Sequence, residues 1–364
     1  MKESTYGMVY DPDHMIPVEI VTEDNRVISI TETNREDHTR IILPGFVNAH
    51  THIGDCGIGI EPFGTVKELV APPDGLKHKM YREVSIHERM EYSRKAVEGM
   101  LSEGITHFID FREEGVDGTV MLRSILSGIE GIEGRIMSVP SLQNFDIKEV
   151  NKLISVSQGI AVSGLAEWDL DVLSTLRKFT KNAKKKFTIH FSEDKREDVE
   201  KLIEIAPDYI VHGTFCTETD LARIHEHGIK IVVCPRANLF FGNVAPLKVM
   251  LTLGIKPLLG TDNCFINRPS IFAEMELSYK LFHHTGIDAR DILAMATFNA
   301  YNAMGIDHLE YPDLDINKTF ITFRMSERDA KHPEYAIVNF GTSDRIEDIF
   351  INGLKKNRLS TTYH

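Results

Sequence analysis

His50-Thr51-His52 closes the apolar run Arg40-Ile41-Ile42-Leu43-Pro44-Gly45-Phe46-Val47-Asn48-Ala49. Residues two apart in a strand point to the same face, so this run, read as a strand, aims two imidazoles at one point. Imidazole suits zinc, iron and other borderline cations. The tripeptide alone is a weak signal, because a chain with 16 histidines among 364 residues meets a His-x-His by chance. Its meaning depends on whether other elements bring further ligands to the same place.

Three later apolar runs end in suitable groups. Phe187-Thr188-Ile189 leads to His190, with Glu193 three residues on; Tyr209-Ile210-Val211 leads to His212; Leu258-Leu259-Gly260-Thr261 leads to Asp262. A His or Asp buried at a strand end is costly unless hydrogen-bonded or metal-bound. Taken singly, each reads as a hydrogen-bonded strand end. Glu193 also has a plain reading as a surface carboxylate in the charged stretch Ser192-Glu193-Asp194-Lys195-Arg196-Glu197-Asp198. Together they are four strands with His or Asp at the same end.

The elements that must position these groups alternate. Strand-like runs occupy Arg40 to Asn48, Ile105 to Asp110, Arg135 to Pro140, Gly159 to Gly164, Phe187 to Phe191, Tyr209 to His212, Ile229 to Cys234 and Lys256 to Thr261. Amphipathic helices separate them, the clearest being Ser85 to Gly104 with Ser85 as its N-cap; Thr217 would cap the helix after the sixth strand. Eight strands alternating with helices predict an α/β fold, a (β/α)8 TIM barrel, in which chemistry sits at the C-terminal strand ends. A doubly wound open sheet is the alternative, but no Gly-x-Gly-x-x-Gly follows an early strand. Residues 1–42 and 319–364 fall outside the alternation. Their strand-like pieces Val18 to Val21, Arg26 to Ile30, Thr319 to Phe323, Tyr335 to Asn339 and Ile346 to Ile351 predict a small composite β-sandwich from both termini, leaving 43–318 for the barrel.

Composition narrows the function. Net charge is −13, from 54 acidic and 41 basic residues, which argues against a nucleic-acid partner. Lys184-Lys185-Lys186 reads as a solvated helix end. No apolar run approaches the roughly 18 residues that span a bilayer, and no signal-like apolar segment follows Met1, so a cytoplasmic protein with no membrane partner is expected. Cys56, Cys216, Cys234 and Cys264 have no close pair spacing and read as reduced thiols. The expected partner is a small-molecule substrate, and a homo-oligomer is left open.

The ordered set resembles the amidohydrolase superfamily over nearly the whole chain: Leu43-Pro44-Gly45-Phe46-Val47-Asn48-Ala49-His50-Thr51-His52, His190-x-x-Glu193, His212, Cys234-Pro235-Arg236-Ala237-Asn238, Gly260-Thr261-Asp262-Asn263 and Ala294-Met295-Ala296-Thr297-Phe298-Asn299-Ala300. The His-x-x-Glu looks like the mononuclear deaminase and chlorohydrolase branch, which includes cytosine, guanine and adenosine-type aminohydrolases. The resemblance implies that His50, His52, His190 and Asp262 hold one divalent metal ion, zinc first, with iron or manganese as alternatives. It implies that His212 contacts the attacking water or the substrate. The carboxylated lysine of binuclear branches has no counterpart in Gly159 to Gly164, which favours one ion.

A reaction follows from these residue types. A bound ion lowers the pKa of a water towards neutrality. Asp262 would take a proton from that water, His212 would orient it or stabilise developing oxygen charge, and Glu193 would protonate a ring nitrogen and carry a proton to the leaving amine. The expected activity is hydrolytic deamination at an amidine-like carbon of an N-heterocycle. The rival enzyme reading is ring opening of a cyclic amide, as in an imidazolonepropionase-like member. A non-catalytic barrel scaffold would have lost a ligand or the glutamate, and this chain retains all of them.

Candidate substrate contacts lie at the remaining strand ends: Arg112 and Glu113, Asn144, Glu167 and Trp168, Arg236 and Asn238. Trp168 could stack on a ring or pack between barrel and helix. Arg112 and Arg236 could hold an acidic group or pair with neighbouring carboxylates. Asn238 reads as a brace for its loop. Residues 53–84, containing Gly54, Gly57, Gly59, Pro62, Gly64, Pro72, Pro73 and Gly75, form a long segment of the kind that often acts as a lid.

Overall fold

The run Arg40 to Asn48 is two strands in two different sheets. Pro44 and Gly45 interrupt it. Proline supplies no backbone N–H, and a Cβ on Gly45 would stand 2.3 Å from the Thr106 hydroxyl. The computed structural model describes residues 1–12, 14–57, 63–71 and 74–356. Gly59, Pro62, Pro72 and Pro73 lie outside the described residues.

In chain order the strands are β1 Lys2–Tyr10, β2 Met15–Glu23, β3 Arg26–Glu32, β4 Arg40–Leu43, β5 Phe46–His52, β6 Ile105–Arg112, β7 Glu133–Ser138, β8 Gly159–Val162, β9 Lys186–Phe191, β10 Tyr209–His212, β11 Lys230–Val233, β12 Leu258–Leu259, β13 Asp262–Asn263, β14 Phe320–Arg324, β15 Ile346–Ile351 and β16 Leu354–Lys356. The sheet that carries the site is parallel, in the order β12-β11-β10-β9-β8-β7-β6-β5-β13. Its two end strands belong to one segment, 258–263. Gly260 N donates to Val233 O and Thr261 N donates to His50 O, each across 3.0 Å, so this segment bonds to strands on both sides and the sheet curls round on itself. Helices connect successive strands. Ser85 caps Ile86–Ser102 in a capping box with Glu88, and Thr217 does the same for Glu218–Glu226 with Asp220.

The terminal segments differ from the expected sandwich. They form one closed sheet, β1-β2-β3-β16-β15-β14-β4, whose ends meet where β1 pairs with β4 in parallel. Two of its strands, β1 and β16, go beyond the strand-like pieces read from the sequence. Tyr335 to Asn339, expected as a strand, lies within the helix Pro333–Phe340. Pro333 occupies the first helical position, Glu334 the first turn, and Ala336, Ile337 and Val338 join the main core. Asn352 and Gly353, both at positive φ, form the turn between β15 and β16. Among the described residues no helix is long and apolar enough to cross a membrane.

Candidate metal centre and active site

The parallel sheet delivers its polar strand ends to one place. β5 brings His50 and His52, β9 brings His190, and β13 brings Asp262, with one ligand atom from each lying within 4.8 Å of the others. Asp262 pairs in register with Thr51, which sets its carboxylate beside the two β5 histidines. Asn48 locks that register, since its amide donates to Thr261 Oγ1 across 2.8 Å and accepts from Thr261 N across 3.0 Å. His50 Nε2 lies 3.1 Å from Asp262 Oδ1, and His52 Nε2 lies 3.6 Å from the same oxygen.

The outward nitrogens are held elsewhere. His52 Nδ1 faces Glu113 Oε1 at 2.8 Å, and His190 Nδ1 faces Val162 O at 3.4 Å. Both rings then turn Nε2 inward, the arrangement that metal-ligating imidazoles adopt. Phe111 meets the His50 ring edge-on at a centroid distance of 4.4 Å. Burial lowers His50 to about 4 and holds His190 well below its usual value, so both rings are neutral. Burial opposes charge on His52 as well, but the Glu113 carboxylate outweighs it and raises His52 to about 9. Burial opposes charge on Asp262, yet the surrounding histidines, His50 first, keep it ionised. Three imidazoles and a carboxylate with ligand atoms this close fit one divalent ion of the zinc, iron or manganese kind.

His212 and Glu193 stand beside this set. His212 Nε2 is buried, has no hydrogen-bond partner, and lies 3.6 Å from Glu193 Oε1. Glu193, His212 and Asp262 form a second group within the same distance limit. His212 has φ +77° and Asp262 has φ +61°, left-handed values that cost energy in residues with a Cβ and that gather at functional sites. The charged stretch after His190 turns back on itself. Ser192 N donates to Glu197 Oε2 across 2.8 Å, Glu197 N donates to Ser192 Oγ across 3.0 Å, and Ala166 N donates to Glu197 Oε1 across 3.1 Å. Glu197 thus braces the loop that points Glu193 inward. Burial raises the Glu193 carboxyl above its ordinary value, with His212 opposing the rise.

A cavity of about 360 Å³ opens over these groups. Glu167 and Trp168 line it, as do Glu113 and Glu193; Trp168 Nε1 donates to Ser163 Oγ across 2.9 Å, leaving the ring in the wall. Arg112 and Arg236 are not brought to it. Arg112 is fully buried, its Nε bonded to Gly118 O and its Nη2 to Glu114 Oε2. Arg236 Nη1 bonds Arg268 O and approaches Glu274. Asn144 is exposed, while its neighbours Ser141 and Gln143 reach the wall. Asn238, read as a loop brace, accepts from Asn243 N through its backbone carbonyl across 2.9 Å, and its side-chain amide lies 3.0 Å from His212 Nδ1. The 53–84 segment supplies Val66, Val70, Lys77, His78, Tyr81 and Arg82 to the cavity. The sequence singles out no residue of the helix Leu76–Glu83; the four-residue spacing of Lys77 and Tyr81, one turn apart, is the signal that places them on one face.

Comparison with known proteins agrees with this geometry. The Amidohydrolase family model matches residues 41–310, and the chain belongs to that family. An uncharacterized protein of Methanocaldococcus jannaschii is 34% identical over 326 residues, covering 83% of this chain and 84% of that one. The 5-methylthioadenosine/S-adenosylhomocysteine deaminase of Pyrococcus furiosus is 25% identical over 304 residues, covering 74% and 71%. In fold, the chain superposes on a crystal structure of an adenosine deaminase from Xanthomonas campestris with bound zinc, with a TM-score of 0.76 at 16% identity, over 96% of this chain and 92% of that one.

Proposed function

We propose that this chain is a metal-dependent aminohydrolase that deaminates an N-heterocyclic small molecule. The observation that carries this reading is the meeting of His50, His52, His190 and Asp262 with the Glu193–His212 pair, all but the fully buried His50 lining one cavity. The named deaminases among its relatives support it. We take the curled sheet to be a (β/α)8 barrel spanning 43–318, with 1–42 and 319–364 as a separate composite unit.

His50, His52, His190 and Asp262 would hold one ion, zinc by analogy with the structural neighbour, and that ion would make a water nucleophilic near neutral pH. The chain's own groups do the rest. Asp262, held ionised, takes a proton from the attacking water. His212 donates from Nε2 to the oxygen that forms on carbon. Glu193, whose burial favours the protonated carboxyl, gives its proton to a ring nitrogen and then carries the remaining O–H proton of the added water to the amine, and the proton held by Asp262 restores it. The balance is N=C–NH2 plus H2O giving HN–C=O plus NH3, the ring nitrogen keeping one of the protons. A cavity of about 360 Å³ with Trp168 and Val70 in its walls suits one heterocycle with a modest substituent.

The test is Glu193→Gln assayed on a panel of aminated heterocycles, with ammonia release and ring opening followed separately. Loss of ammonia release with metal content unchanged is expected. Full turnover in the variant would refute the proton role, and ring opening without ammonia would refute deamination.

A further inference from the structure

Beside the His50–His52–His190–Asp262 set lies a second acidic group that the proposed reaction does not use. The ligand atoms of His52, Asp55 and Glu113 stand within 4.8 Å of one another, and all three residues are buried. His52 is shared, presenting Nε2 to one set and Nδ1 to the other. Glu113 Oε2 is buried with no partner.

A cation already sits in this group. Lys77, on the helix Leu76–Glu83, has a side chain only 5% exposed; its ammonium donates to Glu113 Oε1 across 2.7 Å and to Asp55 Oδ2 across 3.4 Å. One turn further along the same face, the Tyr81 hydroxyl donates to the other oxygen of Asp55. A lysine is almost never this buried unless paired, and two buried carboxylates without a counter-charge would be strongly destabilising. The helix therefore brings a charge that the strand ends need, and the chain of contacts runs Lys77–Glu113–His52.

We propose that Lys77 is a built-in cation that fills what would otherwise be a second divalent-ion site, and that it positions Glu113 to hold His52 by Nδ1. It explains in chemical terms why this chain would carry one ion: the place beside the first is taken by an ammonium. It also ties the 53–84 segment to the metal centre, because the helix must be seated for Glu113 to be held. The inference rests on the single-ion reading of the neighbouring site.

The experiment is metal stoichiometry and affinity, by elemental analysis and chelator competition with zinc, on wild type, Lys77→Met, Lys77→Arg and the double variant Lys77→Met/Glu113→Gln. One ion is expected in the wild type and in Lys77→Arg, a second weaker ion in Lys77→Met, and its disappearance in the double variant. One ion in both wild type and Lys77→Met, with unchanged affinity, overturns the proposal and leaves the function standing. No ion in the wild type removes the metal reading and this proposal with it. Should Lys77→Met fail to fold, amine labelling of the folded wild type decides. Lys79, exposed on the same helix, should react while Lys77 is spared, and equal labelling of the two overturns the proposal.

Discussion

The side-chain amide of Asn238 stands 3.0 Å from Nδ1 of His212, and an amide NH2 can only donate. Nδ1 therefore accepts, which places the ring's N–H at Nε2, the nitrogen that faces Glu193. One asparagine, five residues beyond the end of β11, thereby leaves His212 with an N–H and no lone pair at the nitrogen that faces Glu193.

Asn238→Asp reverses that choice, since a carboxylate takes the Nδ1 proton. Turnover should fall by about 10²-fold, the usual cost of losing one donor to a developing oxyanion. KM and bound metal should change little. Steady-state kinetics with metal analysis checks this, and an unchanged kcat would show that the tautomer is irrelevant.

Metal removal should both silence and soften the protein. An ion that binds only the folded state adds about 2.7 kcal/mol when its free concentration is 100 times its Kd. Dialysis against a chelator should abolish activity and lower Tm, and zinc should restore both. In His190→Ala the zinc-dependent rise in Tm should be absent; a rise equal to that of wild type would place the ion elsewhere.

Gly260 allows the closing segment to approach β5. A Cβ there would stand 2.7 Å from His50 Cβ and 2.9 Å from His50 N. Gly260→Ala must push Asp262 away from His50, at a cost of about 1–3 kcal/mol for an overpacked site. Zinc affinity should fall together with Tm. Crystallography or chelator competition on the variant decides, and wild-type affinity would mean the strand can yield without moving its carboxylate.

Glu274 makes stability depend on pH. Burial raises its carboxyl from 4.5 to about 8; Arg236, through its backbone N–H at 2.7 Å and its charge, opposes the rise. A raised folded-state value means that its contribution is full below the unfolded value near 4.5 and is lost as pH rises through about 8. Wild-type Tm should therefore drop between about pH 5 and pH 8 and level off above. Glu274→Gln, which cannot ionise, should drop less, and parallel melting curves for the two proteins would exclude this group as the source.

The candidate metal ligands were legible because each follows an apolar run, and a polar group at the end of a buried strand has few stable fates. Helix starts at Ser85 and Thr217 were legible because capping is local chemistry. Arg40 to Asn48 misled because its pattern carries no mark of changing sheets beyond Pro44-Gly45. Tyr335 to Asn339 misled because a short apolar run suits a strand or a helix equally. Arg112 and Arg236 sit at strand ends like the ligands, but whether a long side chain reaches the cavity or folds back on Glu114 or Glu274 depends on neighbours distant in sequence.

The sequence by itself determined which groups could bind an ion and activate water, since residue type and strand position are written along the chain. The tertiary structure alone decided the partners: Glu113 on His52, Asn238 on His212, and Lys77 between Glu113 and Asp55. These choices fix tautomer and charge. They depend on distances of about 3 Å between residues up to 61 apart in sequence, which no local pattern encodes.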